Sequence, residues 1–203
     1  MDVSQAEEER HRAKMQKRKA VQDAEVAEKT IEKGLLIVHT GPGKGKTTAA
    51  FGLALRMLGY GRSVGVVQFV KGAWHTGEKD AFAAFGNRVR WHAMGEGFTW
   101  ETQDLRRDVA AAEAAWAKAL ELMADPAIAL VVLDEINIAL RYDYLQLSEV
   151  VAALKARRLD LHVVATGRNA KPDLVEAADL VTEFVAQKHH FAAGVKAQAG
   201  IEF

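Results

Sequence analysis

Hydrophobic positions fall into short continuous runs separated by longer stretches of mixed polarity. Apolar or β-branched runs at 35–39, 63–70, 128–133 and 161–165 are too short for helices of their own and read as buried strands. Weaker runs at 88–93 and 180–184 read as further strands, the latter the last in the chain. Between them, helical periodicity covers 46–58, 78–85, the alanine-rich 104–124, 147–157 and 174–177. Gly59 and Gly61 stop the first of these and Asp125-Pro126 the third. The stretch 94–102 (MGEGFTWET) fits neither period and reads as irregular. Continuous apolar strands alternating with helices predict an α/β fold, a mostly parallel sheet with helices on both faces.

Residues 1–33 break this pattern. They are rich in Glu, Lys, Arg, Gln and Ala, and read as a helical or partly ordered arm outside the α/β domain of 34–203. Arg10, Arg12, Lys14, Lys17, Arg18 and Lys19 form a basic run between acidic flanks. Such a run is commonly a solvated helix face; a lid over a site, an arm crossing to a second subunit and a nucleic-acid contact are the functional alternatives.

The chemistry concentrates where the first strand ends. LLIVHTGPGKGKTT runs from strand through Gly41, Pro42, Gly43, Lys44, Gly45 and Lys46 to Thr47 and Thr48 at a helix start. Glycines at alternate positions let backbone N–H groups turn toward an anion, Lys46 adds a point charge, and Thr47 offers a hydroxyl to Mg²⁺. The strict pattern wants glycine at 40, where the chain has Thr40, so the loop is a variant of the phosphate-binding type. A second signal is the strand AIALVVLDEI, which brings Asp134 and Glu135 to the carboxyl edge of the sheet, where either can hold the metal opposite Thr47. The two signals establish a nucleoside triphosphate site without saying which bond breaks.

Composition removes other classes. The chain has 203 residues and no cysteine, so disulfides, thiolate metal sites and a cysteine nucleophile are excluded. Lys plus Arg and Asp plus Glu both number 27, and this zero net charge argues against a nucleic-acid binder. No apolar run reaches the roughly 20 residues of a membrane span, and no apolar signal core opens the chain, so a cytoplasmic protein is expected. His189 and His190, taken as neighbours in a strand, point to opposite faces and argue against a shared metal. Phe98 and Trp100 flank Thr99 in a glycine-rich loop, where they either close over the core or form an apolar platform for a flat ligand.

The set TGPGKGKTTAAFG, FVKGAW, GFTWETQ, VVLDEI, YDYL, TGR and HHFAAGVKAQAGIEF resembles, in order and spacing, the corrinoid adenosyltransferases of cobalamin biosynthesis, from about Leu35 to Phe203. The resemblance implies a P-loop NTPase fold of RecA-like type. It implies transfer of the 5′-deoxyadenosyl group of ATP to the cobalt of a Co(I) corrinoid, with release of triphosphate. It further implies Mg²⁺ or Mn²⁺, a homodimer with the arm covering the site, and a flavoprotein electron donor. ATP would lie reversed in the loop, so that C5′ rather than the γ-phosphorus meets the cobalt nucleophile. Phe98 and Trp100 would form a wedge that removes the lower axial ligand of cobalt, and Lys71 and Trp74 would contact ATP or corrin. Lys196 and Gln198 in the tail are equally suited to binding and to packing. The rivals are a RecA-like ATPase acting on nucleic acid, a small-molecule kinase and a non-enzymatic nucleotide-binding regulator.

Overall fold

The computed structural model describes residues 4–70, 76–94 and 104–202. The chain divides into two compact units, Met1–Lys33 and Gly34–Phe203.

The first unit is one helix, α1 (Gln5–Ala27), opened by a capping box. The Glu7 N–H donates to Ser4 Oγ, and the Ser4 N–H donates back to Glu7 Oε2 at 3.0 Å, so two orphan donors of the first turn are satisfied. The helix buries no residue, and its Lys19–Asp23 pair at 2.7 Å follows the i, i+4 spacing of an exposed charged face.

The second unit is built on a six-stranded sheet in the order β3-β2-β4-β5-β1-β6. Its strands are β1 (Leu36–Thr40), β2 (Ser63–Gln68), β3 (Val89–Ala93), β4 (Ile128–Asp134), β5 (His162–Thr166) and β6 (Leu180–Glu183), and every pairing is parallel. The helices are α2 (Lys46–Gly59), α3 (Gly77–Ala83), α4 (Leu105–Ala124), α5 (Ile136–Arg141), α6 (Leu147–Lys155) and α7 (Pro172–Ala177). The α/β expectation holds.

Strand alternation explains why both faces are covered. Leu36, Val38, Val131, Leu133, Val163 and Ala165 pack with α4, α5 and α6, while Ile37, Val66, Leu130, Val132 and Val164 pack with α2 and Phe82 of α3. In α4 the small residues Ala112, Ala115 and Ala119 recur at helical spacing and are at most 3% exposed, which lets the helix lie close on the sheet. Arg157 ties the amino ends of β1 and β5 together. Its guanidinium donates to the carbonyls of Leu154, Leu161 and Gly34 and to Asp179, whose Oδ2 also accepts the Leu36 N–H.

Some boundaries differ from the sequence expectation. The second strand stops at Gln68 rather than 70, and α6 stops at Lys155 rather than 157. Helix α5 was not expected, although Ile136, Ala139 and Leu140 carry the i, i+3, i+4 apolar spacing and are all buried. β6 is exposed along its whole length because it is an edge strand, paired among the described residues with β1 alone.

Candidate active site

The carboxyl ends of β1, β2, β4 and β5 meet at one edge of the sheet, and the loop between β1 and α2 lies there. Gly41 has φ +96°, and a Cβ on it would lie 2.5 Å from the Phe184 carbonyl oxygen. Gly43 donates its N–H to that oxygen at 2.6 Å, and a Cβ there would come within 2.8 Å of the Phe184 backbone. These glycines are therefore needed for curvature and for close approach of the chain after β6. His39 is buried at the end of β1 and donates Nδ1–H to the Lys46 carbonyl at 3.1 Å, holding the start of α2 against the strand.

Lys46 is only 6% exposed, and its ammonium donates to the carbonyls of Gly41 at 2.8 Å and Gly43 at 2.6 Å. Burial pushes its pKa below the ordinary lysine range, with the charges of Arg168 and Lys44 acting in the same direction and Glu135 opposing them. Lys44, Lys46 and Arg168 thus concentrate positive charge at the loop, with Glu135 the carboxylate that acts on Lys46. Lys44 pairs with Glu202 of the C-terminal tail, and His190 Nε2 lies 3.1 Å from the other oxygen of the same carboxylate.

Asp134 has no exposed surface and receives three donors. Thr47 Oγ1 and Thr166 Oγ1 donate to its Oδ1 at 2.8 and 2.9 Å, and Gln68 Nε2 donates to Oδ2 at 3.0 Å. Three of the carboxylate's roughly four acceptor positions are thus taken, one of them by the Thr47 hydroxyl. The next residue, Glu135, takes the left-handed conformation at φ 64°, donates its N–H to Thr166 Oγ1 at 2.9 Å, and has its side chain at the cleft. Hydroxyl and carboxylate oxygens are hard donors that suit Mg²⁺ or Mn²⁺.

The loop lines a cleft of about 930 Å³. Its lining combines the apolar Ile138, Val185 and Ile201 and the aromatic Tyr142 with the charged Lys44, Glu135, Arg141, Arg168 and Glu202. Tyr142 stacks on Tyr144 with ring centroids 5.7 Å apart, and the Arg141 guanidinium lies 5.4 Å from the Tyr142 ring.

The structure therefore brings Gly41, Pro42, Gly43, Lys44, Gly45, Lys46, Thr47 and Thr48 into one loop and helix start, with Asp134 and Glu135 across from it. Lys71, Trp74, Phe98 and Trp100 lie outside the described residues. His189 and His190 are not in a strand. His189 caps a short 3₁₀ turn that begins at His190, and their rings stack with centroids 4.8 Å apart. Among the described residues no group of three or more His, Asp or Glu side chains is arranged as a metal cage. Sequence reasoning passed over Gln68 and Thr166, whose signal was a polar residue closing an otherwise apolar strand, just as at Asp134. It also passed over Arg168, Tyr142 and Glu202 as individual side chains.

Residues 32–203 match the family model described as ATP:corrinoid adenosyltransferase BtuR/CobO/CobP. The chain belongs to this family. A second model, described as Cob(I)alamin adenosyltransferase N terminal, matches residues 1–26, so the likeness extends upstream of the expected start near Leu35. A corrinoid adenosyltransferase of Pseudomonas aeruginosa is 55% identical over 203 residues, covering 100% of both chains. The corrinoid adenosyltransferase CobA of Salmonella typhimurium is 48% identical over 195 residues, 96% of this chain and 98% of that protein. Among solved structures, the RadB recombinase overlaps 77% of each chain at 17% identity with a TM-score of 0.47. The chain is accordingly an enzyme, a transferase whose family adenosylates corrinoids with ATP. No helix among the described residues is long and apolar enough to cross a membrane.

Proposed function

We propose that the loop holds the triphosphate of ATP in the cleft while a Co(I) corrinoid enters the same cleft. The 5′-deoxyadenosyl carbon passes to cobalt and intact triphosphate leaves. The observation that carries this reading is a cleft of about 930 Å³ lined by the glycine-lysine loop together with Ile138, Tyr142, Val185 and Ile201, in a chain of the corrinoid adenosyltransferase family.

The cobalt nucleophile belongs to the substrate, so the protein's task is positioning and charge compensation. Lys46, Lys44, Arg168 and the α2 N-terminus offset the charge that develops on the departing triphosphate. Thr47 and Glu135 would hold Mg²⁺ or Mn²⁺, with Asp134 orienting the Thr47 hydroxyl. A bound divalent ion neutralises phosphate charge and so makes triphosphate a better leaving group. Buried Lys46 presents its charge in a low-dielectric setting, where it acts more strongly than in water.

Phe98 and Trp100 are proposed as the wedge that displaces the lower axial ligand, and Lys71 and Trp74 as further substrate contacts. A four-coordinate Co(II) is easier to reduce than a five-coordinate one, so a flavoprotein can supply the electron. The unit Met1–Lys33 is proposed as a lid or dimer arm of a cytoplasmic homodimer. The test is direct: chemically reduced corrinoid, ATP and Mg²⁺ are mixed with the protein, and the light-sensitive cobalt–carbon chromophore is followed. Its enzyme-dependent appearance supports the reading, and its absence with release of phosphate or ADP supports a hydrolase or kinase instead.

A further inference from the structure

Gln68 closes β2 and is 3% exposed, an amide buried between its two neighbours in the sheet. Toward β3, its Oε1 accepts the indole Nε1–H of Trp91 at 3.1 Å. Toward β4, its Nε2 donates to Asp134 Oδ2 at 3.0 Å. An indole N–H can only donate, so the Trp91 bond fixes which end of the amide faces which neighbour. The reversed amide would oppose N–H to N–H on one side and carbonyl oxygen to carboxylate on the other. Trp91 is itself held by Phe51 and Phe82, with ring centroids 5.1 and 5.7 Å away.

We propose that Gln68, locked by Trp91, is a positioning residue. It sets the rotation of the Asp134 carboxylate and so the strength with which the Thr47 site takes the divalent ion accompanying the nucleotide. The proposal rests on the reading of Thr47 and Asp134 as the metal side of the cleft. With Oδ2 anchored by Gln68, the carboxylate plane is fixed and Oδ1 is left to the hydroxyls of Thr47 and Thr166. An apolar residue of similar size would fill the space at Gln68 without needing partners. A buried amide bonded at both ends instead imposes a direction.

The experiment titrates Mn²⁺ in the presence of ATP by electron paramagnetic resonance of the free ion, using wild type, Gln68→Leu and Trp91→Phe. ATP binding without metal and thermal unfolding are measured in parallel. Gln68→Leu is expected to weaken Mn²⁺ binding by about 10- to 100-fold, the usual range for loss of a group that orients a ligand. Trp91→Phe, which keeps the ring packing and never touches Asp134, shifts it the same way by a smaller factor. Metal-free ATP binding stays near wild type in both. Unchanged Mn²⁺ affinity in folded Gln68→Leu overturns the proposal, as does an equal loss of metal-free ATP binding. Should Gln68→Leu fail to fold, Trp91→Phe decides alone. A wild-type protein that binds ATP but takes up no Mn²⁺ with it overturns the metal reading together with this one.

Discussion

Lys46 concentrates the chemistry of the loop in one ammonium group, and its two carbonyl bonds show how it is aimed. Replacing it with methionine keeps the packing and removes the charge. Lys46→Met is expected to lower kcat/KM for adenosylation of chemically reduced corrinoid by about 10²–10³-fold, the scale of losing one preorganised charge-stabilising group. The neighbouring glycines make a different prediction. A Cβ at Gly43 would meet the Phe184 backbone at 2.8 Å, where no flexible side chain can give way. Gly43→Ala should lower stability by about 1–3 kcal/mol and weaken ATP binding as the loop shifts, measurable by denaturant melts and calorimetry. At this scale the sequence was most legible where residue types are tied to backbone shape, as in Gly-Lys-Thr. It was least legible where function depends on neighbours in the sheet. Gln68 and Thr166 stand 66 and 32 positions from Asp134 along the chain, and only strand order makes them its partners.

Among the elements, each inner strand was readable because both of its faces are largely buried and its middle residues are mostly apolar. Strand order was not readable, since nothing local in β1 says that β5 rather than β2 lies beside it. Helix α5 escaped notice because Glu135, at φ 64°, ends the strand and starts the helix without a side-chain cap. Arg157 is an element-scale joint linking α6, β5 and the starts of β1 and β6. Arg157→Met leaves the carbonyls of Gly34 and Leu161 and the Asp179 carboxylate short of a donor. A loss of about 2–4 kcal/mol is expected in chemical denaturation, with little change in the KM for ATP in the protein that remains folded. The aromatic loop holds the other element-scale prediction. Trp100→Ala should retain ATP binding and turnover of pre-reduced corrinoid while losing most turnover with a flavoprotein donor. Equal turnover with both donors would refute the wedge.

For the whole molecule, opposite charges balance, so stability should respond to pH through particular buried and half-buried groups rather than through net repulsion. His39, His92 and His162 all have pKa values lowered below 6.5, chiefly by burial, and positive neighbours add to this at His92 and His162. Below 6.5 the unfolded chain takes up protons that the folded chain resists, so stability is present above that value and is lost as pH falls through it toward the lowered folded values. Urea midpoints should therefore drop between pH 7.5 and pH 5.5, and an unchanged midpoint would contradict the assignment. At this scale the sequence carried the family and the cleft's chemical class, because spaced motifs survive as text. It did not carry the three donors that enclose Asp134 or the tail carboxylate on Lys44, which exist only once the sheet has closed. The most direct measurement is a phosphorus NMR inventory of a reaction of ATP, Mg²⁺ and chemically reduced corrinoid. One triphosphate per adenosylated cobalt, with neither ADP nor free phosphate, is the predicted result; phosphate or ADP without a cobalt–carbon bond would contradict the account.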